Sequence, residues 1–233
     1  MNFKYFIFDY DGTLCDTHPA ISHSIEKTFQ LFGFPIPSKS EFIKAIGTGM
    51  GLNDTIASLI PPKIEINEEM TEDIINEYRS IYSSKGVNYA TLFQGVNTLF
   101  ELLSERQSTI IIVSNKGIKA VEQSLKKFNL SNSVSYLIAE GLFSKEKTKL
   151  KPDPMIFNEF ILPKYPGINK SNTIVIGDTK ADILFAKNCN VTSCWASYGY
   201  GNVQECQSQK PEISINTPLE LLDYIDHENI EKL

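Results

Sequence analysis

The sequence predicts an α/β fold, a doubly wound parallel sheet with a small all-helical domain inserted after the first strand. Two observations lead to this fold class. From about residue 88 onward, short apolar runs rich in β-branched and aromatic residues alternate with helical patterns, which is typical of parallel strands covered by helices on both faces. Between the first apolar run and this region, the sequence contains helical patterns and no convincing buried strand.

Four short apolar runs predict the buried strands. These are Tyr5–Phe8, Thr109–Val113, Thr173–Ile176 and Val191–Trp195. Apolar residues at three- and four-residue spacing predict the helices between and after them. These are Val96–Leu103, Ile118–Phe128, Pro154–Leu162, Ala181–Lys187 and Pro218–Ile225. Strands that alternate with helices in this way build an open parallel sheet.

The segment after the first strand predicts four helices. His18–Phe32 carries its apolar residues along one stripe, and a glycine and two prolines end it. The shorter helices Ser38–Ile46 and Leu52–Ile60 are separated by the glycines of GTGMG, and the acidic helix Glu68–Tyr82 follows. We therefore expect two domains. They are an α/β core of residues 1–15 and 88–233, and a helical domain of residues 16–87.

The composition is that of an ordinary globular chain and argues against several classes of function. The 233 residues include 42% hydrophobic and 21% charged residues, and the net charge of −6 argues against a nucleic-acid partner. The N-terminal apolar run is too short for a signal peptide, and no run approaches a membrane span. The four cysteines form no CxxC pair, which favours reduced thiols. We expect a cytoplasmic monomer or homodimer with no membrane partner.

Acidic residues follow directly on the first predicted strand, in YFIFDYDGTLCD. The strand brings Asp9 and Asp11 to its carboxyl end, where open parallel sheets bind ligands. Two carboxylates this close repel each other unless a cation or a shared proton intervenes. Gly12 allows a turn there, and the Thr13 hydroxyl can donate to a phosphate or a carboxylate. A surface turn has similar residues, so the other strand ends decide between the two interpretations.

Groups suited to an anion follow the second strand and precede a later helix. In IIIVSNKG, Ser114, Asn115 and Lys116 supply two neutral donors and a cation, and a helix begins just after them. Ser114 as a simple helix N-cap is the alternative. In KLKPDP, Pro152 holds Lys151 extended before a helix. A rigid cation there would balance an aspartate nucleophile and a phosphate.

The strand end in IVIGDTKAD supplies further carboxylates. Asp178 follows the strand, and Asp182 lies four residues later on the same face of the next helix. Mg²⁺ prefers oxygen ligands of this kind, completed by water and by a substrate phosphate. Each of the four segments is weak evidence alone. Together, at the exits of predicted parallel strands, they indicate a site for a metal and a phosphate.

The segments DYDGT, SN, KPDP and GDTKAD, in this order, resemble the four-motif signature of the haloacid dehalogenase superfamily. The helical segment resembles the cap that one subfamily carries between the first and second motifs. The resemblance implies a magnesium-dependent phosphatase that forms an aspartyl-phosphate intermediate. Asp9 would be the nucleophile, and Asp11 would act as general acid and then as general base. Ser114 and Lys151 would hold the transferring phosphoryl oxygens.

The resemblance also implies how Mg²⁺ would bind. The ligands would be Asp9, the backbone carbonyl of Asp11 and the Asp178 carboxylate. Asp182 would lie next to these ligands without contacting the metal directly. This arrangement meets the main demands of phosphoryl transfer, which are positioning and neutralisation of charge.

The helical segment bears on the substrate, which we expect to be a small phosphorylated metabolite. The stretch containing Gly47, Thr48 and Gly49 resembles the cap loop of phosphoglycolate phosphatases, and we expect these residues to contact the substrate together with Thr13 and Asn115. Phosphoglycolate is the favoured substrate, although no arginine sits beside the glycines to hold its carboxylate. A flexible break between two helices explains the glycines equally well.

Other reactions of the superfamily stay open to different degrees. Dehalogenases lack an acid at the position of Asp11, because a halide leaves without a proton, so this residue favours phosphoryl transfer. A mutase similar to β-phosphoglucomutase would carry a histidine nearby, but neither His18 nor His23 has the expected spacing. A pyrophosphatase or nucleotide phosphatase fits the four motifs equally well. A non-catalytic binding module would show no turnover and no effect of replacing Asp9.

Overall fold

Residues 2–143 and 149–225 are described by the structure, a computed structural model. In chain order the strands are β1 (Tyr5–Phe8), β2 (Cys15–Asp16), β3 (Thr91–Leu92), β4 (Thr109–Gly117), β5 (Tyr136–Glu140), β6 (Thr173–Gly177), β7 (Thr192–Ala196) and β8 (Ile213–Ile215). The α-helices are α1 (His18–Phe32), α2 (Lys39–Ile46), α3 (Leu52–Leu59), α4 (Glu68–Ser84), α5 (Val96–Glu105), α6 (Ile118–Lys127), α7 (Leu162–Lys164), α8 (Lys180–Asn188) and α9 (Val203–Ser208). Short 3₁₀ helices span Gly86–Tyr89, Ser131–Ser133 and Pro218–Tyr224, and a π-helical turn spans Phe157–Ile161.

Six of the strands form one parallel sheet in the order β5-β4-β1-β6-β7-β8. The chain runs outward from β1 through β4 to β5, and then returns to the other side of β1 with β6. The strand order therefore reverses at β1, and ligands of open α/β sheets bind at such a point, outside the carboxyl ends of the strands. The predicted fold class is confirmed.

The central strand is buried because apolar side chains cover both faces of the sheet. Phe6 and Phe8 of β1 belong to the larger core cluster. Tyr5 and Ile7, on the opposite face, belong to a second cluster that includes Phe185 of α8. All four residues of β1 are buried, which explains why its sequence is continuously apolar and does not alternate.

Some element predictions differ from the structure. The strand predicted over Val191–Trp195 lies one residue later, as β7. The closing helix predicted over Pro218–Ile225 is a 3₁₀ helix over Pro218–Tyr224, and the helix predicted over Pro154–Leu162 contains the π-helical turn. The second predicted strand, Thr109–Val113, extends to Gly117, with a register shift after Ser114 that marks a bulge.

The helical insert, defined here as α1 to α4, lies in the chain between β2 and β3. These two short strands pair antiparallel, Cys15 with Leu92 and Asp16 with Thr91, so the chain leaves and returns at one place. α1 ends at Gly33, whose φ of 71° suits glycine. Within the insert α1 packs against α4. The division into domains at residues 16–87 stays a prediction.

None of the helices in the described part of the chain is long and apolar enough to cross a lipid bilayer. The four cysteines are all buried and unpaired. Burial raises the pKa of the Cys15 and Cys206 thiols to about 12, which keeps them protonated at neutral pH.

Candidate active site

The carboxyl ends of three neighbouring strands bring three of the four motifs together. Asp9 follows β1, Ser114 lies in the bulged end of β4, and Asp178 follows β6. Because β4 and β6 flank β1 in parallel, these ends meet at one edge of the sheet. A cavity of about 650 Å³ opens at this edge. Its lining includes Asp9, Asp11, Ser114, Asn115, Lys116, Lys151 and Asp182 from the motifs and Tyr78, Arg79 and Tyr82 from α4.

Lys151 is the buried cation beside the predicted nucleophile. Its Nζ donates to Asp9 Oδ1 and to Asp182 Oδ1, both at 2.6 Å, and its side chain is 3% exposed. Asn115 fixes its backbone, because Asn115 Oδ1 accepts from Lys151 N at 2.9 Å and Nδ2 donates to Lys151 O at 3.1 Å. Burial lowers the pKa of Lys151, but the two carboxylates raise it by more, so the pKa lies above its usual value and the lysine stays charged.

Three buried carboxylates form a cluster that can hold a metal ion. Asp9, Asp178 and Asp182 each offer an oxygen atom, and these atoms lie within 4.8 Å of one another. Asp182 has the least acceptor capacity left, because it accepts from Lys151 and twice from Thr179, at 3.0 Å from N and 2.6 Å from Oγ1. Among the described hydrogen bonds, Asp9 accepts only from Lys151. Asp9 and Asp178 are therefore better placed to ligate a cation than Asp182.

The electrostatics of this cluster favour a cation. Burial raises the pKa of Asp9 to about 7, although Lys151 opposes the effect. Burial, and then the charges of Asp9 and Asp182, raise the pKa of Asp178 well above its usual value. A bound divalent cation would relieve both the burial cost and the repulsion between carboxylates. The donor set consists of carboxylate oxygens, which fits a hard divalent cation.

Two donors from different elements hold the Asp11 carboxylate. Thr17 Oγ1 donates to Asp11 Oδ1 at 2.6 Å, and Lys116 Nζ lies 3.1 Å from Oδ1 and 3.3 Å from Oδ2. The chain can turn between Asp9 and Asp11 because Gly12 adopts a φ of 80°. A Cβ atom at Gly12 would clash with the Asp178 carboxylate, so only glycine fits this close approach.

Ser114 and Thr13 have different surroundings, although both are buried hydroxyls. Ser114 lines the cavity, and its Oγ accepts from Lys116 N at 3.2 Å; the described residues offer its own proton no acceptor. The alternative that Ser114 caps a helix is wrong, since Gly117 is the N-cap of α6. Thr13, expected above to contact the substrate, instead donates to Asp178 Oδ1 at 3.1 Å. Its hydroxyl therefore orients a carboxylate of the acidic cluster.

Asn115 joins the helical insert to the core. Besides its two hydrogen bonds to Lys151, its Nδ2 donates to Gly49 O at 2.7 Å. A Cβ atom at Gly49 would meet Thr179 Oγ1 at 2.6 Å, and φ at this glycine is 71°. Close backbone contact explains this glycine better than a flexible break does. The amide of Asn115, expected to contact the substrate, makes its hydrogen bonds to backbone atoms.

The remaining residues of the glycine stretch are not all at the cavity. Gly49 lines it. Gly47 lies against the backbone of Tyr200, where a Cβ atom would meet Tyr200 O. Thr48 Oγ1 donates to Ala45 O at 2.6 Å, at the end of α2. Of these three candidates, the geometry favours substrate contact for Gly49.

Sequence reasoning missed several residues of the site, among them Tyr82 of α4, Tyr200 and Arg79. Tyr200 N donates to Asp178 Oδ2 at 2.7 Å, and its hydroxyl lies 2.7 Å from Asp16 Oδ1, where the chain enters the insert. Arg79 of α4 lines the cavity and lies 4.0 Å from Glu140. No arginine lies beside the glycines in the sequence, but α4, farther along the chain, brings Arg79 to the cavity. Arg79 is one of only two arginines in the sequence, and no local pattern indicates that it reaches the cavity.

The fold and site define an α/β protein with a buried cluster of carboxylates at the carboxyl edge of its parallel sheet, and comparison with known proteins identifies the family. A family model described as haloacid dehalogenase-like hydrolase matches residues 6–196. The chain therefore belongs to the haloacid dehalogenase-like hydrolases, and the family predicted from the four motifs is confirmed.

The similarity to individual proteins extends over nearly the whole chain. Phosphoglycolate phosphatases of Vibrio cholerae and Vibrio parahaemolyticus are 27% and 25% identical over 226 residues; the alignments cover 94% and 95% of this chain and 96% of each relative. The crystal structure of a predicted phosphoglycolate phosphatase from Haemophilus somnus has a TM-score of 0.84 at 20% identity, covering 96% of this chain and 98% of that chain. That structure is similar in fold.

Proposed function

We propose that this protein is a magnesium-dependent phosphatase that hydrolyses a small phosphorylated metabolite through an aspartyl-phosphate intermediate, with phosphoglycolate as the favoured substrate. One observation carries the proposal. The Asp9 carboxylate lies at the cavity, bonded to a buried lysine and next to Asp178, and Asp11 follows two residues later. The names of the two Vibrio relatives support phosphoglycolate.

The covalent steps follow from these side chains. Asp9 attacks phosphorus, and the bond between phosphorus and the ester oxygen breaks. Asp11 gives its proton to the leaving alkoxide and then takes a proton from the water that attacks the aspartyl phosphate. Inorganic phosphate leaves, and both carboxyl groups return to their starting states. Ser114 and Lys151 donate to the phosphoryl oxygens, where negative charge must be balanced.

A bound Mg²⁺ would supply neutralisation of charge between the carboxylates and the phosphate. Asp9, Asp178 and the backbone carbonyl of Asp11 are the groups that would hold it. Thr13 and the backbone of Tyr200 keep the two oxygens of Asp178 oriented. Such supporting hydrogen bonds typically affect metal affinity about 10- to 100-fold.

The helical insert would exclude water while the intermediate forms. Its loop at Gly49 bonds to Asn115 at the cavity, and Tyr78 and Tyr82 of α4 line the cavity. If the insert sets discrimination, replacing residues 16–86 with a short linker should spare turnover of small esters and abolish substrate preference. Unchanged preferences in the shortened protein would exclude this role.

Phosphate release from a panel of metabolites tests the proposal. Wild type, Asp9→Asn and Asp73→Asn are assayed with Mg²⁺ and with EDTA. Asp73 is exposed on α4 and serves as the matched control. Release that requires Mg²⁺, persists in Asp73→Asn and is lost in Asp9→Asn is expected. Full release by Asp9→Asn, or none by the wild type from any ester, would contradict the proposal.

A further inference from the structure

Lys116 is a buried cation of the cavity that the proposed steps leave without a role. Its side chain is 8% exposed, and its Nζ bonds to both oxygens of Asp11. The same Nζ lies 4.3 Å from the centroid of the Tyr82 ring. Both residues line the cavity. Lys116 therefore lies between the predicted acid–base residue and the helical insert.

Tyr82 supplies a second polar group at the same place. Its residue is 2% exposed, and its buried hydroxyl has no hydrogen-bond partner among the described residues. Burial raises the pKa of this hydroxyl, so it keeps its proton and remains a donor. A buried donor without an acceptor is unfavourable by itself. An acceptor on a ligand in the cavity would satisfy it.

The charges around the phosphoryl position separate the roles of the two buried lysines. Lys151 bonds to Asp9 and Asp182, on the nucleophile side. Lys116 bonds to Asp11, which would act on the leaving oxygen. A second negative charge on the leaving group would therefore come close to Asp11, and Lys116 is the cation at that position that would pair with it.

The distances from Lys116 Nζ to Asp11 and from Asp11 to the leaving oxygen bear on which leaving groups Lys116 can contact. A general acid must come within about 2.6–3.2 Å of the leaving oxygen, and Lys116 Nζ is 3.1 Å from Asp11 Oδ1. A carboxylate carbon attached one carbon away lies roughly 2.4 Å from that oxygen, given standard bond lengths. These short steps would bring the carboxylate of a phosphorylated α-hydroxy acid to the side of the cavity where Nζ lies.

Arg79 contacts a different part of the cavity. It lies 4.0 Å from Glu140, which ends β5, two strands away from β1. Two strand spacings amount to roughly 10 Å across the sheet. Arg79 is therefore less suited than Lys116, which contacts Asp11 directly, to a carboxylate that follows closely on the leaving oxygen.

We infer that Lys116 and the Tyr82 hydroxyl form a subsite for the carboxylate of a phosphorylated α-hydroxy acid. This inference rests on the proposed phosphatase function and names the substrate class of the same site. Substrate binding exchanges one carboxylate for another at Lys116, because the ligand takes the place of Asp11 as its partner. Asp11 is then released from the lysine and free to approach the leaving oxygen.

Selectivity between two substrates of similar size tests the subsite. Phosphoglycolate and ethyl phosphate differ in having a carboxylate or a methyl group at the same position. Lys116→Met should lower kcat/KM for phosphoglycolate about 10- to 100-fold more than for ethyl phosphate, as expected for a lost charge-assisted hydrogen bond. Tyr82→Phe removes only a buried unpaired hydroxyl. It should lower the ratio of kcat/KM for phosphoglycolate to kcat/KM for ethyl phosphate about 3- to 10-fold.

Two further variants separate charge from packing. Lys116→Arg keeps the cation and should retain a preference for phosphoglycolate. Lys126→Met removes an exposed lysine of α6 and should leave both substrates unaffected. Equal losses for both substrates in Lys116→Met, with an unchanged ratio in Tyr82→Phe, would overturn the subsite and leave Lys116 as a support for Asp11 alone.

Binding to a protein that cannot turn over distinguishes this inference from the proposed function. Calorimetric titration of Asp9→Asn with phosphoglycolate in Mg²⁺ should show binding that weakens at least tenfold when Lys116→Met is added. Binding that ignores Lys116 overturns the subsite even when the wild type releases phosphate. Lys116-dependent binding by a chain whose wild type releases no phosphate would support the subsite and refute the phosphatase.

Discussion

Asp9→Asn should stabilise the metal-free protein while abolishing turnover. Asp9 is 8% exposed, and its carboxylate lies close to those of Asp178 and Asp182. Burial raises its pKa from 3.8 to about 7 even with Lys151 beside it. The surroundings therefore disfavour the ionised form. An asparagine carries no charge, and its side-chain oxygen can still accept from Lys151.

The size of the effect follows from linkage between protonation and folding. The pKa of Asp9 in the folded protein exceeds the value of 3.8 by about 3 units. Each unit corresponds to about 1.36 kcal/mol, so ionising Asp9 in the folded protein costs about 4 kcal/mol. This is an upper bound, because water and side chains relax around a buried charge. Half of it, about 2 kcal/mol, would raise Tm by roughly 4–8 °C in a domain of this size.

The sign of the pH dependence is a sharper test than the size. A carboxyl with a raised pKa binds more protons in the folded state than in the unfolded state. Its favourable contribution is complete below pH 3.8 and is lost as the pH rises through about 7. The advantage of Asp9→Asn over the wild type should therefore be largest above pH 7 and should shrink as the pH falls towards 5.

Thermal unfolding in EDTA between pH 5 and 8.5 measures this difference, with exposed Asp73→Asn as control. Addition of Mg²⁺ at pH 8 should stabilise the wild type more than Asp9→Asn. An Asp9→Asn protein that is less stable than the wild type at pH 8, or an advantage that grows on acidification, would refute the reasoning. The Lys151 ion pair would then outweigh the burial of the charge.

Two further predictions concern residues that orient the site. Thr13→Val should raise the Mg²⁺ concentration for half-maximal activity about tenfold, because Asp178 loses the hydrogen bond at 3.1 Å; an unchanged Mg²⁺ requirement with a raised KM would instead place Thr13 at the substrate. Asn115→Ala should lower the free energy of unfolding by about 1–3 kcal/mol and speed proteolysis at Gly49, since three hydrogen bonds are lost. Exposed Asn53→Ala is the control, and equal proteolysis of the two variants would contradict the prediction.

The parts of the fold that the sequence predicts are those with a local pattern. β1 and β6 are continuously apolar because helices cover both faces of the sheet. The predicted bounds of these two strands are therefore close to those in the structure. β5 is only partly buried and β8 has three residues, and neither carries a run strong enough to identify. The π-helical turn at Phe157–Ile161 likewise has no local signal that we recognised.

The residues of the candidate site also fall into those that a local sequence pattern predicts and those that it does not. Asp9, Ser114 and Asp178 were identified because each follows or ends an apolar run, and parallel strands bring such ends together. Tyr200 and Arg79 reach the site from a loop and from the helical insert. Their positions depend on how distant elements pack, and no spacing in the chain records that.

The amide of Asn115 connects the glycine loop of the insert to Lys151, the proposed catalytic cation. One side chain bonds to Gly49 of the insert and to both backbone groups of Lys151. Opening of the glycine loop would leave Nδ2 with one acceptor where it now has two. The lysine would then lose part of the support that holds Nζ at 2.6 Å from Asp9. Lys151 is therefore held most firmly when the glycine loop is docked, and under the proposed mechanism phosphoryl transfer would be favoured in that state.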